Sequence, residues 1–166
     1  RMSWIGRVFG TVPGEEREGI HLDTSQPYWQ LDGADTFHEV FRALTGWLPE
    51  STILYFEGGS PDAEIEHFVA AHSVPEVAHV AMGTIWPRPR VFHVPASTAN
   101  LTELARIMQR HAEPELAIHF HVYRGESVLL EWHDAFAQPM LVSGSIPEEE
   151  VRVLAERMRT GFRRSG

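Results

Sequence analysis

Three histidines and a glutamate fall close together in one short stretch: His119 and His121 in Ile118-His119-Phe120-His121-Val122-Tyr123, and Glu131 and His133 in Ser127-Val128-Leu129-Leu130-Glu131-Trp132-His133. Imidazole nitrogens and a carboxylate oxygen are the donor set of a divalent metal such as zinc. If they held one, His119, His121 and His133 would be ligands. Glu131 would be the fourth ligand or the base that activates a bound water, and hydrolysis would be the natural chemistry.

Whether they meet depends on a hairpin. Ile118, Phe120 and Val122 alternate with polar residues on the first run, as do Val128, Leu130 and Trp132 on the second, and alternation of period two marks half-buried strands. Opposed residues of an antiparallel pair share a face, so matching the apolar sets requires paired numbers with an even sum. A three-residue loop, Arg124-Gly125-Glu126, meets that condition and sets His119 opposite Glu131; a two-residue slip sets it opposite His133. The same alternation also describes an ordinary sheet with one polar, solvated face, and it does so without any metal.

Inventory removes other chemistry. The chain has no cysteine, and all 14 of its basic residues are arginine. Disulfides, thiol nucleophiles, cysteine-bound metals, the P-loop lysine and Schiff-base lysines are therefore excluded. Glu57-Gly58-Gly59-Ser60-Pro61-Asp62 has the shape of a phosphate-cradling turn into a helix, but Glu57, Asp62 and Glu64 put negative charge there, and a plain turn with a helix cap is the better account. Glu64 and His67 have the spacing of a di-iron Glu-x-x-His unit, yet no matching set of a second unit and two more glutamates on facing helices appears.

Two aromatic segments are candidates for partner binding. Trp86-Pro87-Arg88-Pro89-Arg90 is a basic, proline-punctuated connection that either presents Trp86, Arg88 and Arg90 to a partner or carries an inward-packed Trp, the commoner fate of that residue. Tyr28-Trp29 is either a ligand platform or a pin to the core.

The elements that must position these residues follow from periodicity. Apolar residues at helical spacing predict four amphipathic helices, one after Asp35 with Phe37, Val40, Phe41, Leu44 and Leu48, one after Ser60-Pro61, one after Thr98 or Asn100, and one carrying Val151, Leu154, Ala155, Met158 and Phe162. Ser145 and Glu148 have capping-box spacing before the last. Strands are expected near 4–12, 51–57, 77–86, 90–95, 116–123, 127–135 and 139–143. Residues 13–34, with Pro13-Gly14, Gly19, Pro27 and Asp32-Gly33, read as one long loop. The expectation is a single α+β domain over 1–166, a mixed or antiparallel sheet of about 5–7 strands with four amphipathic helices packed on it.

A net charge of −9 opposes nucleic acid and anionic membranes and favours a basic or neutral partner. No apolar run approaches a bilayer span, and Arg1-Met2-Ser3-Trp4 lacks the apolar stretch of a signal peptide, so a cytoplasmic location is the simplest expectation. No complete catalytic constellation can be assembled. The sequence therefore points first to a non-enzymatic binding or interaction protein with no cofactor and a protein rather than a small-molecule partner. An inhibitor or immunity-type protein masking a basic partner would fit. The alternative is a metal-dependent hydrolase built on His119, His121, Glu131 and His133.

Overall fold

A computed structural model describes residues 18–166; the strand expected at 4–12 lies outside them. Seven antiparallel strands form one sheet: β1 (Tyr28–Leu31), β2 (Ile53–Glu57), β3 (Val91–Pro95), β4 (His119–Arg124), β5 (Ser127–Trp132), β6 (Met140–Val142) and β7 (Phe162–Ser165), in the order β3-β2-β4-β5-β6-β1-β7. Five helices accompany it: α1 (Phe37–Leu44), α2 (Ala63–His72), α3 (Thr98–Ile107), the single-turn α4 (Glu113–Leu116) and α5 (Glu148–Arg157). The fold is α+β, as the sequence predicts. Among the described residues no helix is long and apolar enough to cross a membrane.

One sheet face carries Leu54 and Phe56 from β2, Val94 from β3, Phe120 and Val122 from β4, and Leu130 and Trp132 from β5. All are buried in one cluster with the apolar stripes of the helices, including Phe37, Phe41, Leu101, Leu104, Val151 and Leu154. The period-two strands and period-3.6 helices thus supply one apolar layer each.

Local chemistry shifts the helix ends. The cap of α1 is Thr36 rather than Asp35, its hydroxyl accepting the Glu39 amide at 3.1 Å. Asp62 caps α2 instead of Ser60, accepting the Ile65 amide at 3.1 Å, and Ser97 caps α3. The Ser145 hydroxyl bonds that of Ser143, so the expected capping box does not form and Pro147 precedes α5. That helix stops at Arg157; Arg159 takes a left-handed φ of 53°, and Phe162 enters β7 instead of extending the helix.

The expected loop over 13–34 contains β1. Trp29 and Leu31 alternate inward between Pro27 and Gly33, and the strand is paired on both sides, by β6 and β7. Four residues give too short a pattern to recognise without those neighbours. The expected strand at 77–86 is irregular instead. Among the described residues its one bridge is a parallel one from Val80 to Ile20, and several of its amides bond side chains rather than a neighbouring strand.

The β4–β5 hairpin reaches the required parity by a different route. Its turn is two residues, Gly125-Glu126, with Gly125 at φ 58° in the first position, where two-residue hairpins favour glycine. Arg124 pairs with Ser127 and Tyr123 with Val128, an odd sum. A bulge then shifts the register, so that Val122 pairs with Leu130 and His121 with Glu131. Beyond the bulge the parity argument and its two-residue slip hold. Before it, Val128 turns to the opposite face with Tyr123, and Ile118 precedes the strand with 40% of its surface exposed.

Candidate functional site

Cross-strand pairing assembles a polar layer on the second face. Glu57 pairs with His119, Tyr55 with both His121 and His93, and His121 with Glu131. These residues are buried, and Glu57 is wholly inaccessible. The expected His119, His121, Glu131 and His133 do converge: the His133 ring lies 5.3 Å from that of His119 and 4.6 Å from that of His121, and His133 Nε2 is 3.2 Å from Glu131 Oε1. Glu57, Tyr55, His93 and Thr84 are the members that sequence reasoning missed, whereas the alternation along the hairpin already sets Tyr123 on this face. Alternation of Ile53, Tyr55 and Glu57 against Leu54 and Phe56 places Tyr55 and Glu57 on the second face; that β2 lies beside β4 was the missing information.

The layer is covered by two irregular segments, near 20–23 and 74–84, and its charged groups hold them. Glu57 Oε1 accepts the Tyr55 hydroxyl (2.7 Å) and the Gly83 amide (3.0 Å), while Oε2 accepts the Thr84 amide at 2.7 Å. Burial and the adjacent Glu57 carboxylate push the Tyr55 phenol far above its ordinary range, which keeps it a donor. Glu131 Oε2 accepts the Leu22 amide at 2.9 Å. The Tyr123 hydroxyl accepts the Val77 amide at 3.3 Å. Gly83 lies so close to the imidazoles that a Cβ there would sit 2.7 Å from His133 Nδ1 and 3.1 Å from His119 Nε2.

The hydrogen bonds also fix tautomers. His119 Nδ1 accepts the Asp134 amide and His121 Nδ1 accepts the Trp132 amide, each at 3.0 Å, which places the ring proton of both on Nε2. His119 Nε2 then faces Thr84 Oγ1 at 3.1 Å and Glu57 Oε2 at 3.7 Å. Burial pushes the His119 pKa down, in keeping with a neutral ring. A metal ligand needs an imidazole lone pair. Ligation by His119 or His121 would require breaking a main-chain hydrogen bond or removing the second ring proton. Among the described residues no group of three or more His, Asp or Glu side chains is arranged to hold a metal ion. In the structure the carboxylates and imidazoles act as a hydrogen-bonded clamp on the covering segments.

The clamp ends where the chain emerges to solvent. Directly after Thr84, Ile85 is 51% exposed and Trp86 79% exposed, so Trp86 does not take the inward fate common for its type. At the far end of this loop the Arg90 carbonyl accepts the Gly58 amide at 2.8 Å, and the Arg90 guanidinium pairs with Glu66, with Nη2 to Oε2 at 2.7 Å, beside the Phe92 ring. Arg90, one of the candidate partner contacts, also ties down this end of the loop. Arg88 lines a neighbouring cavity. Of the other aromatic pair, Tyr28 is half-buried, while Trp29 donates its indole N–H to the Ile146 carbonyl at 2.9 Å and lies under Arg164. Trp29 is the core pin of the two readings.

Comparison of the chain with protein-family models, curated proteins and solved structures finds no match. The functional reading therefore rests on the geometry.

Proposed function

We propose that the chain is a non-enzymatic protein-binding domain that presents Ile85 and Trp86 to a partner of net positive charge. The observation that carries this reading is a tryptophan with 79% of its surface exposed on a loop fixed at both ends. An exposed large apolar side chain is costly to leave in water and is the residue type that most often anchors an interface. Bonds from Glu57 to Gly83 and Thr84 at one end, and from Arg90 to Gly58 and Glu66 at the other, order the loop before binding, which lowers the entropy lost on association. The net charge of −9 supplies long-range attraction toward a basic partner. Masking such a partner, as an inhibitor or immunity-type protein does, is the activity this combination suits.

The test uses wild-type and Trp86→Ala protein immobilised side by side, with captured proteins identified by mass spectrometry and affinities then measured. The reading expects a basic protein held by the wild type, released as salt is raised, and bound at least about 30-fold more weakly by Trp86→Ala, on the scale of about 2 kcal/mol for an interface anchor. Identical retention by both proteins, or no specific capture at low salt, overturns it.

A further inference from the structure

Beside the loop, but without Trp86 in its lining, lies a cavity of about 270 Å³ between the covering segment 76–82 and residues 88–93. Its volume is just under the roughly 300–1,000 Å³ of sites for drug-sized ligands, the scale of a single amino-acid residue. The walls include Val80, Met82 and Val91, and the Tyr55 ring also lines it.

Apart from Glu76, the charged and imidazole side chains of its lining, His79, Arg88 and His93, can donate. His93, 5% exposed, lines the cavity, and its Nδ1 is 2.8 Å from the Tyr123 hydroxyl. That hydroxyl accepts the Val77 amide and bonds His93 Nδ1; in the tautomer in which Nδ1 accepts its proton, the ring's Nε2–H is what His93 offers a ligand. Burial pushes the His93 pKa down, in keeping with a neutral ring. Arg88 adds a permanent cation and has no ion-pair partner among the described residues. Glu76, the one acid in the lining, is half exposed and faces His79 at 3.4 Å.

We infer that this cavity binds an apolar group carrying a carboxylate, with the carboxylate on Arg88 and the His93 Nε2–H and the hydrocarbon against Val80, Met82 and Val91. Charge-assisted donors and an apolar wall meet in one concave site, the arrangement by which small amphipathic ligands are recognised. The same chemistry is offered by the C-terminal residue of a peptide and by a small free acid. The site is independent of the reading of Trp86, and either can fail without the other.

The experiment is a calorimetric and NMR titration of the whole chain with acetyl-Gly-Gly-Leu, with the same peptide amidated at its C-terminus, and with 4-methylpentanoate. The carboxylate ligand is expected to bind and to perturb the amides of Val80, Met82 and Val91. Amidation, or the exposed substitution Arg88→Gln, is expected to weaken binding at least about tenfold, near 1.4 kcal/mol. Binding of the peptide alone assigns the site to a C-terminus; binding by the free acid as well assigns it to the small carboxylate. Equal affinity for acid and amide, indifference to Arg88→Gln, or no binding of any probe at millimolar concentration overturns the inference.

Discussion

The two faces of the sheet are covered in different ways. On one, helices lay apolar stripes over Leu54, Phe56, Phe120, Val122, Leu130 and Trp132, and the attraction is non-directional and scales with area. On the other, segments without regular structure lie over Tyr55, Glu57, His119, His121 and Glu131, joined to the layer by hydrogen bonds from main-chain amides to buried side chains. A helix satisfies its own amides, whereas an irregular segment arrives with amides that need acceptors. The buried carboxylates are those acceptors. A polar face here is thus the means of fixing chain that has no ladder of its own, and the exposed loop with Trp86 grows directly from it.

The comparison is sharpened first on the apolar face. Phe120 is fully buried and meets Phe37, Phe41 and Phe56 at centroid distances of 5.8, 5.7 and 5.3 Å. Phe120→Ala is expected to cost about 3–5 kcal/mol, read by denaturant unfolding, with hydrogen exchange accelerated throughout the sheet. A smaller effect is expected from Glu57→Gln, which keeps the shape but turns a donor toward one of the incoming donors. Its expected cost is about 1–3 kcal/mol, with exchange accelerated first at Gly83 and Thr84 while the amides of β4 and β5 stay protected. If Glu57→Gln loosened the whole sheet evenly, the distinction between a packed face and a clamped face would collapse.

The apolar half of this architecture was legible because it is periodic: Phe37, Val40, Phe41 and Leu44 mark a helix in any context, and Phe120, Val122, Leu130 and Trp132 mark one face of a sheet. The convergence of His119, His121, Glu131 and His133 was legible for the same reason, since parity constrains a hairpin. Their role was not. The same residues serve a metal or a clamp depending on what covers them, and the cover is set by hydrogen bonds from Leu22, Gly83 and Thr84 across 109, 26 and 27 residues of sequence to Glu131 and Glu57. Strands β1 and β7 escaped because four residues hold barely two alternations, and Phe162 fits the apolar stripe of α5 until Arg159 turns the chain away. Exposure of Trp86 follows from how the loop ends are tied, which no local pattern encodes.

The finest distinction between the faces is their response to acid. Burial alone would raise the Glu131 pKa, but the hydrogen bond with His133, the neighbouring imidazoles and the Leu22 amide outweigh it and hold the carboxyl well below the usual range. A group whose pKa is lower in the folded state stabilises fully above its unfolded value, near about 4.3 for glutamate, and loses that contribution as pH falls toward the folded value. The stability difference between wild type and Glu131→Gln is therefore expected to be constant from about pH 6 to 8 and to shrink below about pH 4, measured as Tm or denaturant midpoint for both proteins. Exchange at Leu22 in the wild type should rise over the same acid range, because protonation weakens its acceptor. The difference between wild type and Phe120→Ala should stay flat there, since a phenyl ring packed among phenyl rings carries no titrating charge. A difference for Glu131→Gln that widened in acid would mean that the carboxyl is protonated in the folded protein, and that the cover over this face is held by packing as the helices are.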